Sequence, residues 1–224
     1  ANAAAPMYMP LLWISYMADV SLFRASPSHP WGFHFTNVLL HAVNALLLYG
    51  LLLALCKRPW SAFFCAVLWA IHPLRVESVA WVAERKDVLS GFFCLLTVAF
   101  YAQANRPPAR WRPVPYLAAL GAFSAGLLTK PALVPLPLAL LCLDIWPLGR
   151  MSSGPRLRRA FHLTLEKTPF ILVAAAVAGM TILGHRNVGA LDPAPLWRHA
   201  LLVPIHYGFY LFKICWPAQL GPLY

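Results

Sequence analysis

His72-Pro73-Leu74-Arg75-Val76-Glu77-Ser78-Val79-Ala80-Trp81-Val82-Ala83-Glu84-Arg85-Lys86-Asp87 forms a charged island between two oily runs. It holds three of the chain's seven carboxylates together with three cations. A charge at a bilayer centre costs roughly 2.5 to 3.5 kcal/mol on insertion scales, so this density excludes a spanning segment. The flanking apolar runs suit lipid. The island therefore belongs at a membrane face or beside a wet cavity.

Of the 224 residues 60% are hydrophobic and 11% charged, with a mean hydropathy of +0.64, which excludes an ordinary soluble domain. A multi-span membrane protein in contact with lipid is expected. The formal charge of +11 does not point to nucleic acid, because the cations sit in short loops between oily runs rather than in a basic stripe. Cys56, Cys65, Cys94, Cys142 and Cys215 are scattered without any C-x-x-C pair and read as apolar packing residues. Neither a metal site nor a cofactor is expected. Residues 1–6 lack the features of a secretory signal, and the last residues, Gly221-Pro222-Leu223-Tyr224, follow an apolar run. The chain reads as a piece of a longer protein.

Apolar runs predict helices over 35–55, 60–73, 88–104, 115–129, 132–148, 169–185 and 200–217, about seven spans of a polytopic all-α bundle. Residues 8–23 mix aromatics with Asp19 and read as an interfacial helix, and 73–87 as an external charged loop or helix. Pro135, Pro137 and Pro204 fall inside these runs and predict kinks or breaks. Alternate threading puts ten cations, among them Lys57, Arg58 and Arg158, on one side and seven on the island side. The positive-inside rule makes the first side cytoplasmic and turns the island outward.

If 77–87 is one helix, a 100° step per residue gathers Glu77, Glu84 and Asp87 within about 80°, with Arg85 and Lys86 elsewhere around it. Such an element offers carboxylates for proton transfer and cations for a phosphate, or it is a solvated helix whose charges pair among themselves. Lys130 lies on the same side, as a snorkelling anchor or a ligand for a lipid phosphate. His34, Asn37, His41 and Asn44 share one helical arc of roughly 80° that is expected to look into the bundle. The two histidines stand about 10 Å apart along the axis, too far for one zinc, which favours interhelical hydrogen bonds. Asp144 is expected to pair with a nearby cation or cap a turn.

Tyr8-Met9-Pro10-Leu11, then Phe33-His34-Phe35-Thr36-Asn37-Val38-Leu39-Leu40-His41-Ala42, the island, Thr129-Lys130-Pro131 and Asp144-Ile145-Trp146-Pro147-Leu148-Gly149-Arg150 together resemble the membrane domain of bacterial tetratricopeptide-repeat proteins. Those proteins are similar to the transmembrane and tetratricopeptide-repeat O-mannosyltransferases. The resemblance runs over nearly the whole chain, and the island is its most specific part. It implies a GT-C-like fold over 1–224, partial because an upstream span and the downstream repeats are absent from this sequence. It also implies a multi-pass protein of the bacterial inner membrane that moves a sugar, such as mannose, from polyprenyl phosphate to an acceptor, a protein in the first instance. In that reading Arg85, Lys86 and Lys130 hold the donor phosphate, while Glu77 and Asp87 orient those cations or bind the acceptor. The acid that such enzymes carry after their first span lies upstream, and Met9 stands where an arginine is expected. The competing readings are a non-catalytic scaffold for the repeats and a transporter of a lipid-linked sugar. Charges gathered at one face favour transfer, whereas charges at mid-span favour transport.

Overall fold

The computed structural model describes residues 9–105, 112–151, 155–187 and 196–217, with the backbone alone for Arg156 and 196–201. These residues form an all-α protein of ten helices: α1 Pro10–Phe23, α2 Trp31–Cys56, α3 Pro59–Ile71, α4 Arg75–Ala80, α5 Arg85–Ala104, α6 Pro113–Thr129, α7 Leu136–Ile145, α8 Arg156–Glu166, α9 Thr168–Asn187 and α10 Leu196–Cys215. Prolines open α1, α3 and α6, where the missing amide has no intrahelical acceptor to lose. Three stretches are long and apolar enough to cross a membrane: Trp31–Cys56, Val82–Ala104 and Thr168–Asn187. The apolar helices α1, α3, α6 and α7 are shorter. At 1.5 Å per residue, the 13 residues of α3 extend about 20 Å against a hydrocarbon core of roughly 30 Å.

The run 132–148 is not one helix. A 3-10 turn occupies Pro131–Leu133, α7 starts at Leu136 with Pro137 in its first turn, and it stops before Trp146. Pro135 and Pro137 sit where a helix begins, which explains a break rather than a kink. Pro204, in contrast, lies inside a continuous α10. Helix α8 falls in an arginine-rich stretch between the predicted runs 132–148 and 169–185, where the sequence reading has no helix.

The island also departs from the single helix assumed for it. It is α4, an extended Trp81 (φ −83°, ψ 121°), a 3-10 turn over Val82–Glu84, and the start of α5. The break has a cause in α2, where the Asn37 side-chain amide donates to the carbonyls of Val79 and Trp81, both at 3.2 Å. Two backbone acceptors that a helix would have used internally are thereby satisfied from outside.

Asn44, two turns beyond Asn37, donates to the Val88 carbonyl at 2.8 Å, so α2 and α5 run side by side in the same direction. Helices α3 and α6 return antiparallel to them. One end of the bundle thus holds the island and Lys130, and the other holds Lys57, Arg58, Arg112, Arg150 and Lys167. Between them lies an apolar core around Phe123, Leu127, Leu140 and Phe170, with polar groups also turned inward. Asn37, Asn44, Thr97 and Thr129 are buried, whereas Leu46, Phe64 and Leu172 are exposed. Polar groups facing inward and aliphatic ones outward are what a lipid solvent selects.

At the α1–α2 corner, a Cβ added at Gly32 would lie 2.7 Å from the Phe23 Cβ and 3.2 Å from the Ala25 Cβ. Neither neighbour is a flexible side-chain end. Gly32→Ala is expected to destabilise the protein by about 1–3 kcal/mol through overpacking, read as a lower thermal midpoint in detergent; an unchanged midpoint would show that this corner yields freely.

Candidate functional site

The island end is organised around Arg85, the first residue of α5. Its side chain is fully buried, under Tyr16 and Phe33, whose ring centroids lie 4.7 and 5.7 Å from the guanidinium carbon. Nε donates to Asn37 Oδ1 at 2.8 Å, NH2 to the Phe33 carbonyl at 2.7 Å and NH1 to the Ser15 carbonyl at 3.3 Å. NH1 also lies 2.5 Å from Asp19 Oδ2, as an ion contact rather than an aligned hydrogen bond, and Thr36 donates to the other oxygen of Asp19 at 2.7 Å. All three guanidinium nitrogens are engaged, and the group ties α1, α2 and α5 together. The expected open phosphate ligand is thus placed inside the fold.

The other island charges remain accessible. Lys130, at the C-terminus of α6, pairs with Asp87, and both side chains are about one third exposed (32% and 30%). Ser78 donates to the second oxygen of Asp87 at 3.4 Å. Lys86 pairs with Glu84 at 2.9 Å, also partly exposed. Glu77 is half-buried and has no cation partner among the described residues. The three acids do not share one helical face, because the break at Trp81 turns Glu77 away from the phase of Asp87.

Beside this cluster lies a groove of about 380 Å³ lined by His34, His41, His72 and Arg75 against aliphatic walls such as Val38, Ile71 and Val79. Burial pushes the Arg75 guanidinium below its ordinary value, partly offset by the Asp87 carboxylate. Its guanidinium carbon sits 4.9 Å from the Trp69 ring centroid. His41 bonds the Ala70 carbonyl through Nε2 at 2.9 Å and stacks on Trp69. Of the four-residue polar arc on α2, Asn37 and Asn44 are buried in interhelical bonds, His41 is half-buried and His34 is exposed on the groove.

A second charged cluster closes the opposite end. Asp144 is fully buried, accepts from Tyr101 Oη at 2.8 and 2.9 Å and from Arg150 NH1 at 2.8 Å, and pairs with the equally buried Lys167. Arg150 reaches on to Glu166 at 2.7 Å. Burial lowers the Lys167 ammonium below its ordinary value, against the pull of Asp144. For Arg150 burial works downward, but hydrogen bonds to Glu166 and Asp144 hold the guanidinium above its ordinary value. This network joins α5, α7, α8 and the start of α9. Tyr101→Phe removes one hydroxyl that donates to Asp144 and accepts from two cations, while leaving the ion pairs. A loss of about 1.5–3 kcal/mol is expected in thermal unfolding, and no loss would mean that the hydroxyl is dispensable.

Sequence reasoning missed Asp19 as the partner of Arg85, although an acid in an apolar helix is itself a signal for a buried counter-charge. It also missed Glu166 and Lys167 as members of the Asp144 network.

Fold and site together describe an all-α protein with three stretches long and apolar enough to cross a membrane and a partly exposed cluster of cations and acids at one end. The chain shows distant similarity to protein O-mannosyl-transferases. It is 35% identical to Tmtc2 of Drosophila melanogaster over 129 residues, 56% of this chain and 13% of that protein. It is 31% identical to human TMTC4 over 119 residues (47% and 16%) and 32% identical to human TMTC1 over 106 residues (47% and 11%). The chain therefore spans less than a fifth of each of these relatives. No family model matches it, and no solved structure matches it.

Proposed function

We propose that the protein transfers a sugar, such as mannose, from a polyprenyl phosphate to a protein hydroxyl at the island end of its membrane bundle. The observation that carries this reading is the Lys130–Asp87 pair, a solvent-reachable cation and carboxylate at the edge of an apolar bundle whose relatives are named O-mannosyl-transferases. As the bond between the sugar and the carrier phosphate breaks, the electron pair stays on the phosphate, and Lys130 and Lys86 meet its growing charge. Asp87 and Glu84 hold those ammonium groups in place until the phosphate arrives. Glu77, uncommitted to a cation among the described residues, accepts the proton of the attacking hydroxyl. The aliphatic groove beside Arg75 takes the first isoprene units. Arg85 passes from ligand to positioning residue, setting the angle at which α5 presents Lys86 and Asp87.

In this reading the protein is a multi-pass bacterial inner-membrane protein of about seven spans with the island on the extracytoplasmic face. Its fold is GT-C-like. A specific observation favours the scaffold alternative: Lys130 and Lys86 are already internally paired. Glycan mass spectrometry on cells with and without the gene separates the two readings. Loss of a protein-linked sugar in the deletion is expected for the transferase, and identical glycan profiles would leave the scaffold.

A further inference from the structure

We propose that α8 is an interfacial anchor that lies in the headgroup region of the leaflet opposite the island and recruits anionic phospholipid. The proposal is independent of the transferase reading. It rests on how 11 residues divide around one helix. Leu157, Phe161 and Leu165 follow at i, i+4 and i+8 and occupy an arc of about 80°, and their exposures are 86%, 62% and 50%. Arg158 and His162, both exposed, continue the surface immediately beside that arc. The remaining side is already docked: Leu163 is buried, Arg159 donates to the Arg150 carbonyl at 2.9 Å, and Glu166 pairs with Arg150. The outward stripe is therefore not available for folding back onto the bundle.

Position and charge select the occupant. The membrane-crossing stretch Thr168–Asn187 begins one residue after Lys167, so α8 ends where the lipid begins. The buried Asp144–Lys167 network pins it there. Lys57, Arg58 and Arg112 are exposed at the same end of the bundle, while Asp144 and Glu166, the acids described there, are consumed inside the network. A surface with free cations, no free acids among the described residues and an apolar stripe continuous with the lipid-facing helices fits an anionic lipid surface.

The test uses the protein reconstituted into vesicles of phosphatidylcholine, with or without phosphatidylglycerol. A nitroxide is placed at exposed Thr164, beside the apolar stripe, through Thr164→Cys with the five native cysteines replaced. Collision with oxygen and with an aqueous nickel chelate reports depth, and lipid that co-purifies reports headgroup preference. The label is expected about 5–10 Å inside the headgroup boundary. Arg158→Ala is expected to lower the preference for phosphatidylglycerol roughly fivefold, since a cation near such a surface contributes about 1 kcal/mol. Ready access of the chelate to the label in both vesicle types overturns the anchor. Spin coupling between labels would instead assign the stripe to a second chain and also overturns it. An unchanged lipid preference in Arg158→Ala overturns the anionic recruitment. Arg158 is exposed and outside the buried network, so its loss is not expected to affect folding, which a thermal scan checks directly.

Discussion

Arg85→Ala is expected to abolish the folded island end rather than to switch off a reaction in an otherwise intact protein. The substitution leaves Asp19 buried without its counter-charge, orphans Asn37 Oδ1, and removes the second donor to the Phe33 and Ser15 carbonyls. Removing one partner of a buried pair costs about 3–5 kcal/mol, a large share of the stability of most domains. The expected readout is a collapse of yield and thermal midpoint in detergent. Asp19→Leu combined with Arg85→Met removes both charges and is expected to recover much of that loss, because a matched apolar pair carries no desolvation penalty. Arg85→Lys keeps the charge but loses the fork that reaches three acceptors, and an intermediate midpoint is expected. A stable Arg85→Ala protein would contradict the clamp role and restore Arg85 as a candidate ligand.

Lys130→Ala is expected to do the opposite. Its side chain is one third exposed and its partner Asp87 is equally so, and pairs this open contribute on the order of 0–1 kcal/mol to stability. The fold should survive with a nearly unchanged thermal midpoint. Sugar transfer is expected to fall by about 10²–10³-fold, the effect of removing one preorganised group that meets developing charge. Lys130→Arg, which keeps a cation at a different reach, is expected to retain part of the activity. A drop in stability as large as that of Arg85→Ala would make Lys130 structural. Equal transfer by wild type and variant would remove it from the site.

Much of the fold was legible because lipid imposes a simple rule on sequence. Apolar runs became helices, the Asp19 segment became α1, and the polar arc of α2 turned its two asparagines inward. What stayed hidden depended on pairing across distance. Nothing local to 77–87 announces that Asn37 will capture the Val79 and Trp81 carbonyls and break the helix. Helical phase therefore placed Glu77 with Asp87 on a face that does not exist. Arg85 and Lys86 are neighbours of identical charge, and distant partners such as Asp19 and Asn37 decide which is buried and which stays partly exposed. Helix α8 was lost for another reason, since a hydropathy scan averages Leu157, Phe161 and Leu165 against the arginines between them. A search at 3.6-residue period would have found it.

The most direct measurement is sugar release from a radiolabelled polyprenyl-phosphate donor to a peptide acceptor, using the purified protein in vesicles alongside Lys130→Ala of matched thermal midpoint. Transfer by the wild type and loss of about 10²–10³-fold in the variant is the expected result. Transfer unaffected by Lys130→Ala, or none by a folded wild type, would contradict a donor-phosphate site at the island end.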